Sequence, residues 1–355
     1  MSRRRMARQP SEVVPVIDLF AGPGGLGEGF SAFRPTGDKP PFKIHLSIEK
    51  DPIAHETLRL RAFYRQFDQG DVPGEYYGVL RGQSSVKSLF NEYPTQAKAA
   101  RGEAWNATLG ATPRGVLNGR IRSALNGAKR WILIGGPPCQ AYSVAGRARN
   151  SGKENYRPET DIRQYLYVEY LQVIADHWPA VFVMENVKGL LSANVNERQM
   201  FQGIIDDLTS PQDALRREQR SVENPRRRHS YRVLPLTSRD TSQGIEVGDY
   251  VVSAEKNGVP QARHRVILIG VRDDLGDVSL PGLVDRDEVP VSRVLDGLPR
   301  LRSGLSEQDS VERWLTILAA VPERRWLKGS GRGGSETQKT ILETIRHLTA
   351  PKRDR

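Results

Sequence analysis

A chain of 355 residues, 37% hydrophobic and 27% charged, suits one large or two modest globular domains. Lys and Arg outnumber Asp and Glu by 53 to 42, a net +11 with a pI near 9.8, which implies either a polyanionic partner such as nucleic acid or a solvated basic face. The single cysteine excludes an internal disulfide, argues against a cysteine-ligated zinc or other metal site and fits a reducing cytoplasm, while no stretch approaches the roughly 20 apolar residues of a membrane span.

Residues 1–10 are basic with no apolar core behind them, so they read as a disordered tail and not as a signal peptide. Residues 13–20 (Val-Val-Pro-Val-Ile-Asp-Leu-Phe) read as a buried parallel strand. Gly22, Gly24 and Gly27 follow as G-x-G-x-x-G, in front of an expected helix. Residues 42–49 alternate into a second strand ending in Glu49, an acid placed to accept two ribose hydroxyls. A dinucleotide and S-adenosylmethionine both fit this pattern, and Glu49 could instead open the helix beginning near Asp51 and Pro52. A helix is expected from Asp51 to about Phe67. Asp71 and Val72 then mark the end of a third strand, or a loop beside it, where Asp71 could accept an adenine amino group or simply serve a turn. Residues 75–130 give no clear pattern beyond a helix from about Gly115 to Ala128.

Residues 131–134 (Trp-Ile-Leu-Ile) read as another buried strand, closed by Gly135 and Gly136. Pro137 and Pro138 enforce an extended turn, so Cys139 stands on a stiff loop at a strand's carboxyl end, where open α/β sheets hold their ligands. A core cysteine needs no such loop; a nucleophile does. Residues 145–153, Gly- and Arg-rich, read as a mobile basic loop. A helix is expected from Thr160 to His177, then a buried strand over 180–184 with Glu185, Asn186 and Val187 at its carboxyl end, where a carboxylate can share a proton with a substrate. After a helix over 196–208, the arginine-rich residues 210–230 read as a flexible surface insertion. Strands are expected at 231–236, 250–253 and 266–271, with Arg263 and Arg265 entering the last one on the same side of an extended chain. The rest holds a short helix near 292–300, an amphipathic stretch over 311–320 (Val311, Trp314, Leu315, Leu318), a Gly-Ser linker and a basic helix.

Four motifs now stand in one order: Asp-Leu-Phe-Ala-Gly-x-Gly-Gly at 18–25, Gly-Pro-Pro-Cys-Gln-x-x-Ser at 136–143, Glu-Asn-Val at 185–187 and Gln-x-Arg-x-Arg at 261–265. Together they resemble the DNA (cytosine-5) methyltransferase family over roughly residues 13–304. The resemblance implies a doubly wound, mostly parallel, Rossmann-like α/β domain over residues 11–304, with insertions near 75–130 and 192–230. It implies S-adenosylmethionine as cofactor and duplex DNA as substrate. Cys139 matches the nucleophile that adds to carbon 6 of cytosine. Glu185 matches the acid at ring N3, and Arg263 the arginine supporting ring and acid. Arg265 and Gln261 hold the site together.

Further roles follow from the same resemblance. Phe20, Ala21, Gly22, Gly24, Gly25 and Leu26 would wrap the cofactor. Glu49 with Lys50 would hold its ribose, Asp71 with Val72 its adenine, and Pro137 would line the pocket. Gln140, Ser143, Gly146, Arg147 and Arg149 would contact DNA, the last four from the loop 143–157 that matches the family's loop closing on DNA, where the base leaves the stack at a cost of a few kcal/mol. The family's target-recognition region and a later Gly-Asn-x-Val segment have no counterpart here, since no Gly-Asn pair occurs. A second polypeptide supplying both is therefore expected, with residues 305–355 as an interface. The rival readings are a catalytically idle DNA-binding or regulatory subunit and an RNA cytosine methyltransferase.

Overall fold

The computed structural model describes residues 13–35, 40–68, 70–138, 162–191, 195–237, 244–298, 302–324 and 334–347. The chain divides into two compact units, Met1–Val289 and Pro290–Arg355.

The first unit is built on one sheet. Its strands are β1 (Val14–Leu19), β2 (Phe42–Glu49), β3 (Ala104–Asn106), β4 (Ile132–Gly135), β5 (Val181–Val187), β6 (Tyr231–Pro235), β7 (Val251–Ser253) and β8 (His264–Arg272). They lie in the order β3-β2-β1-β4-β5-β8-β6, with β7 also paired to β8. The first five run parallel, while β8 is antiparallel to β5, β6 and β7. The sheet is thus α/β, mixed and mostly parallel. Consecutive β1 residues serve opposite faces, as the strand period of two requires. Val16 packs with Ile44, Ile134 and Leu26 on one side. Ile17 and Leu19 join Leu46, Leu133, Leu171 and Phe182 on the other. Helix Gly25–Ala32 and helix Ile162–His177 follow β1 and β4 respectively, so the sheet is wound in both directions from its centre.

Between β2 and β3 the chain builds a helical layer. Helix Pro52–Tyr64 is followed by Gly74–Leu80, Val86–Glu92 and Pro94–Glu103. Leu58, Ala62 and Phe63 bury against Tyr76, Leu89, Phe90, Ala97 and Ala100. The Phe63 ring sits at the centre, 5.1 Å from Phe90 and 5.2 Å from Phe67 between centroids. Of the two places expected for Asp71 and Val72, a third strand or a loop, the structure has the loop: residues 71–73 are irregular before helix Gly74–Leu80, and β3 is Ala104–Asn106. Residues 210–230 are also not a loose insertion. Helix Pro211–Arg217 buries Pro211, Gln212, Ala214 and Leu215.

In the second unit, helix Val311–Ala319 is capped by Ser310, whose hydroxyl accepts the Arg313 N–H at 3.1 Å, and it has no buried residue. Arg302 pairs with Asp309 at 2.6 Å. The unit also holds a short helix, Ser292–Leu295, and a longer one, Gly334–Arg346.

Candidate active site

Strand order reverses between β1 and β4, and at such a point the loops leaving the carboxyl ends diverge and open a crevice. The crevice here is a cleft of about 530 Å³. Its walls come from Phe20 after β1, Glu49 and Lys50 at the end of β2, residues 107–111 after β3, Gly136 and Pro138 after β4, and Leu166, Glu169 and Arg220.

The loop after β1 is tightly wound. Phe20 has φ +56°, a left-handed conformation that a bulky residue adopts only where its surroundings hold it. The Ala21 N–H donates to the Ile48 carbonyl at 3.0 Å and the Gly24 N–H to the Ala21 carbonyl at 2.9 Å. Gly24, at φ +93°, leads into the helix at Gly25, and a Cβ there would lie 2.9 Å from Leu58. Leu26 turns into the core beneath. The Glu49 carboxylate ties this loop to β2: Oε2 accepts the Gly22 N–H at 2.8 Å and Oε1 the Asp51 N–H at 2.7 Å. The helix cap is Asp51, whose side chain accepts the Ala54 N–H at 2.8 Å, so Glu49 is not needed for that task. Each Glu49 oxygen keeps acceptor capacity toward the cleft.

Asp71 and Val72 are not among the residues lining this cleft. The segment that follows β3 is residues 107–111, and it stands where an adenine-binding acid was expected. The displacement has a simple cause. The helical layer fills the interval after β2, and Asp71 lies within it, between helices Pro52–Tyr64 and Gly74–Leu80 and well before β3.

Across the sheet centre, β4 and β5 position the second half of the site. Gly135 and Gly136 permit close approach: a Cβ on Gly135 would lie 2.6 Å from the Leu19 carbonyl oxygen, and one on Gly136 would lie 3.0 Å from Glu185 Oε2. Asn186 is buried, and its Nδ2 donates to the Pro137 carbonyl at 3.1 Å, fastening the rigid Pro-Pro turn to β5. Sequence reading quoted Asn186 in a motif without assigning it this task. Glu185 lies within β5 and not at its end, because antiparallel pairing with β8 extends the strand through Val187.

Arg265 pairs across from Val187, two residues beyond Glu185 and hence on the same face. Its Nε is 2.7 Å from Glu185 Oε1, with both side chains one-quarter exposed. That N–H does not point along the contact, so the attraction is chiefly electrostatic. The guanidinium also donates through Nη1 to the His264 carbonyl at 2.7 Å. The arginine on the acid is therefore Arg265. Arg263 precedes β8, beyond the last β5–β8 pair, and is exposed, as is Gln261. Cys139, Gln140, Ser143, Gly146, Arg147 and Arg149 lie outside the described residues.

Glu169 and Arg220 were not anticipated. Glu169 falls on the packing helix Ile162–His177, and Arg220 belongs to a run of arginines with no local feature to single it out.

Glycine-loop, acid-tipped second strand and switch-point cleft define a Rossmann-like nucleoside-cofactor domain. A nucleoside fits its chemistry: Glu49 offers acceptors, Phe20 a ring, and Gly136 room for close approach. Residues 122–211 match the family model of C-5 cytosine-specific DNA methylases. A type II methyltransferase of Bacillus paralicheniformis is 31% identical over 278 residues, 73% of this chain and 54% of that protein. One from Picosynechococcus is 24% identical over 72% of this chain and 71% of its own length. A DNA (cytosine-5-)-methyltransferase of Aeropyrum pernix is 28% identical over 54% of this chain and 34% of its own. The chain thus spans about half the length of the Bacillus protein. It belongs to the C-5 cytosine-specific DNA methylase family.

Proposed function

We propose that this chain transfers a methyl group from S-adenosylmethionine to carbon 5 of cytosine in duplex DNA, acting in the cytoplasm. The observation that carries the reading is the meeting of three parts at one sheet edge. The cleft bordered by Glu49 lies at the ends of β1–β4. The Glu185–Arg265 pair stands one strand away. Asn186 fixes the Pro137 turn that leads directly into Cys139.

S-adenosylmethionine would be held by Glu49 at its ribose and by the 20–25 loop, and supplies an electrophilic methyl group. The protein's task is to make a poor nucleophile, cytosine carbon 5, reactive. Addition of the Cys139 thiolate at carbon 6 puts electron density into the ring and on carbon 5. Glu185, in its protonated form, donates a hydrogen bond to N3 as negative charge builds in the ring, and Arg265 holds its carboxyl group in place. After methylation, loss of the carbon 5 proton expels the thiolate and frees the base. The excess of basic residues provides the attraction to phosphates.

The reading includes a second polypeptide that takes part in target recognition. Its support is helix Val311–Ala319, which carries Val311, Trp314, Leu315 and Leu318 without burying any residue.

The test uses purified chain with labelled cofactor and three substrates: duplex DNA, the same duplex with 5-fluorocytosine, and tRNA. Methyl transfer to DNA and a covalent adduct on the fluorinated duplex, both lost in Cys139→Ser, are the expected results. Transfer to tRNA alone would overturn the substrate, and full turnover by the serine variant the mechanism. Robust methylation of one defined sequence by the chain alone would remove the second polypeptide.

A further inference from the structure

The cleft contains a second carboxylate that the proposed chemistry does not use. Glu169 projects from helix Ile162–His177 with its side chain 12% exposed, and its Oε1 is 2.5 Å from Nη2 of Arg220. Gly110, at φ +87°, lies against it, so that a Cβ there would be 3.5 Å from Glu169 Cγ. The pair therefore forms part of the wall made by residues 107–111.

Arg220 is not a loose surface arginine. Its N–H donates to the Leu215 carbonyl at 2.8 Å. The next residue, Ser221, is clamped from helix Arg114–Leu125 and helix Ile162–His177. Arg114 donates to the Ser221 carbonyl at 2.7 Å and to its hydroxyl at 3.0 Å, and Gln172 donates to the same carbonyl at 3.0 Å. The Glu223 N–H donates to Asp176 at 3.0 Å, a side chain with no exposed surface. A segment fixed this way holds one guanidinium at one place.

Sheet order says what that place is. The cleft runs across the carboxyl ends in the order β4, β1, β2, β3. The methyl group has to arrive at the β4 end, where Pro138 precedes Cys139. The ribose belongs at Glu49 on β2. The base of the cofactor then falls at the β3 end, against residues 107–111. Asp71 is absent from that wall, and Glu169 is its carboxylate.

We propose that Glu169 accepts the exocyclic amino group of the cofactor's adenine, with Arg220 as the positioning residue that fixes the carboxylate. The inference rests on the functional reading above. A carboxylate accepts two hydrogen bonds readily, so the Arg220 contact leaves capacity for the amine. The assignment gives the cleft a reason to prefer adenine over a purine lacking the amine, or over one with a carbonyl in its place.

Calorimetric titration of the full chain tests this with two ligands, S-adenosylhomocysteine and its 6-deamino analogue. The unaltered chain should favour the adenine form about tenfold. Glu169→Ala should bind the adenine form about tenfold more weakly and the deamino form unchanged, erasing the preference. The deamino ligand shows in the same variant that the cleft is intact. Arg220→Ala should reduce the preference without abolishing it. Equal weakening of both ligands by Glu169→Ala, or no weakening, would overturn the assignment. Glu49→Ala separates the two readings. If it weakens both ligands equally while Glu169→Ala changes nothing, the cleft stands and Glu169 falls. If it too changes nothing, the cofactor site itself is wrong.

Discussion

Arg265 Nε stands 2.7 Å from Glu185 Oε1, and the two residues come from antiparallel strands that only the fold makes neighbours. The pair is partly open to solvent, so its removal costs little stability, of the order of 1 kcal/mol or less. Under the proposed mechanism its effect falls on the chemical step. Glu185→Gln should lower single-turnover methyl transfer by roughly 10²–10⁴-fold, the usual reach of a positioned acid. Arg265→Ala should lower it with S-adenosylhomocysteine affinity unchanged. A rate within threefold of the parent for Glu185→Gln would remove Glu185 from the mechanism.

The two adjacent glycines should separate stability from activity. Gly135→Ala places a methyl 2.6 Å from the Leu19 backbone and 3.0 Å from the Tyr170 ring, so β1 and β4 must part. A loss of about 1–3 kcal/mol in denaturant unfolding is expected. Gly136→Ala meets only the Glu185 carboxylate at 3.0 Å, which can swing away. That variant should melt near the parent temperature and methylate poorly.

Asp18 is fully buried beside Gly27, with neither oxygen hydrogen-bonded to a side chain, and burial pushes its pKa up to about 8 against weaker opposition from Arg65. The native chain therefore keeps a proton that the unfolded chain has lost. Stability from this group is full below about pH 4, declines as pH rises toward about 8, and is level beyond. Asp18→Asn has no such proton to lose. The stability of the variant relative to the parent should rise by more than about 1 kcal/mol between pH 5 and pH 8. Urea unfolding at both values checks this, and a constant difference would mean the carboxyl is ionised in place.

Glu49→Ala removes both the strap on Gly22 and the proposed ribose acceptors. S-adenosylhomocysteine affinity should fall at least about tenfold by calorimetry. Unchanged affinity would leave Glu49 as a loop strap alone.

Much of this arrangement is legible in the sequence, because β1, β2 and β4 announce themselves as apolar runs closed by glycine or an acid. The motif residues at 136–138 and 185–187 fall beside one another once β4 pairs with β5. Other parts carry no local signal. β3 is Ala-Trp-Asn, too short and too mixed to show a period, so its place was given to Asp71. The helices between β2 and β3 are short and polar outside, and their aromatic contacts with Phe63 are long-range. The i, i+2 spacing alone puts Arg263 and Arg265 on one side of an extended chain, and only the start of β8 and its register with Val187 decide which reaches Glu185. Arg220 could not be told from the arginines around it, since what distinguishes it is the clamp on Ser221.

The clamp on Ser221 also sets an order of events during synthesis. Phe20 and Glu49 emerge early, yet the wall that faces them is closed by Glu169 and Arg220, made much later. Early strands of such a sheet wait for distant partners, which is slow and leaves apolar edges open. A nascent chain on the ribosome holds the glycine loop long before it can grip a nucleoside. On the reading proposed above, cofactor binding would thus report a domain made past Ser221 and on through β8, and not the glycine loop alone.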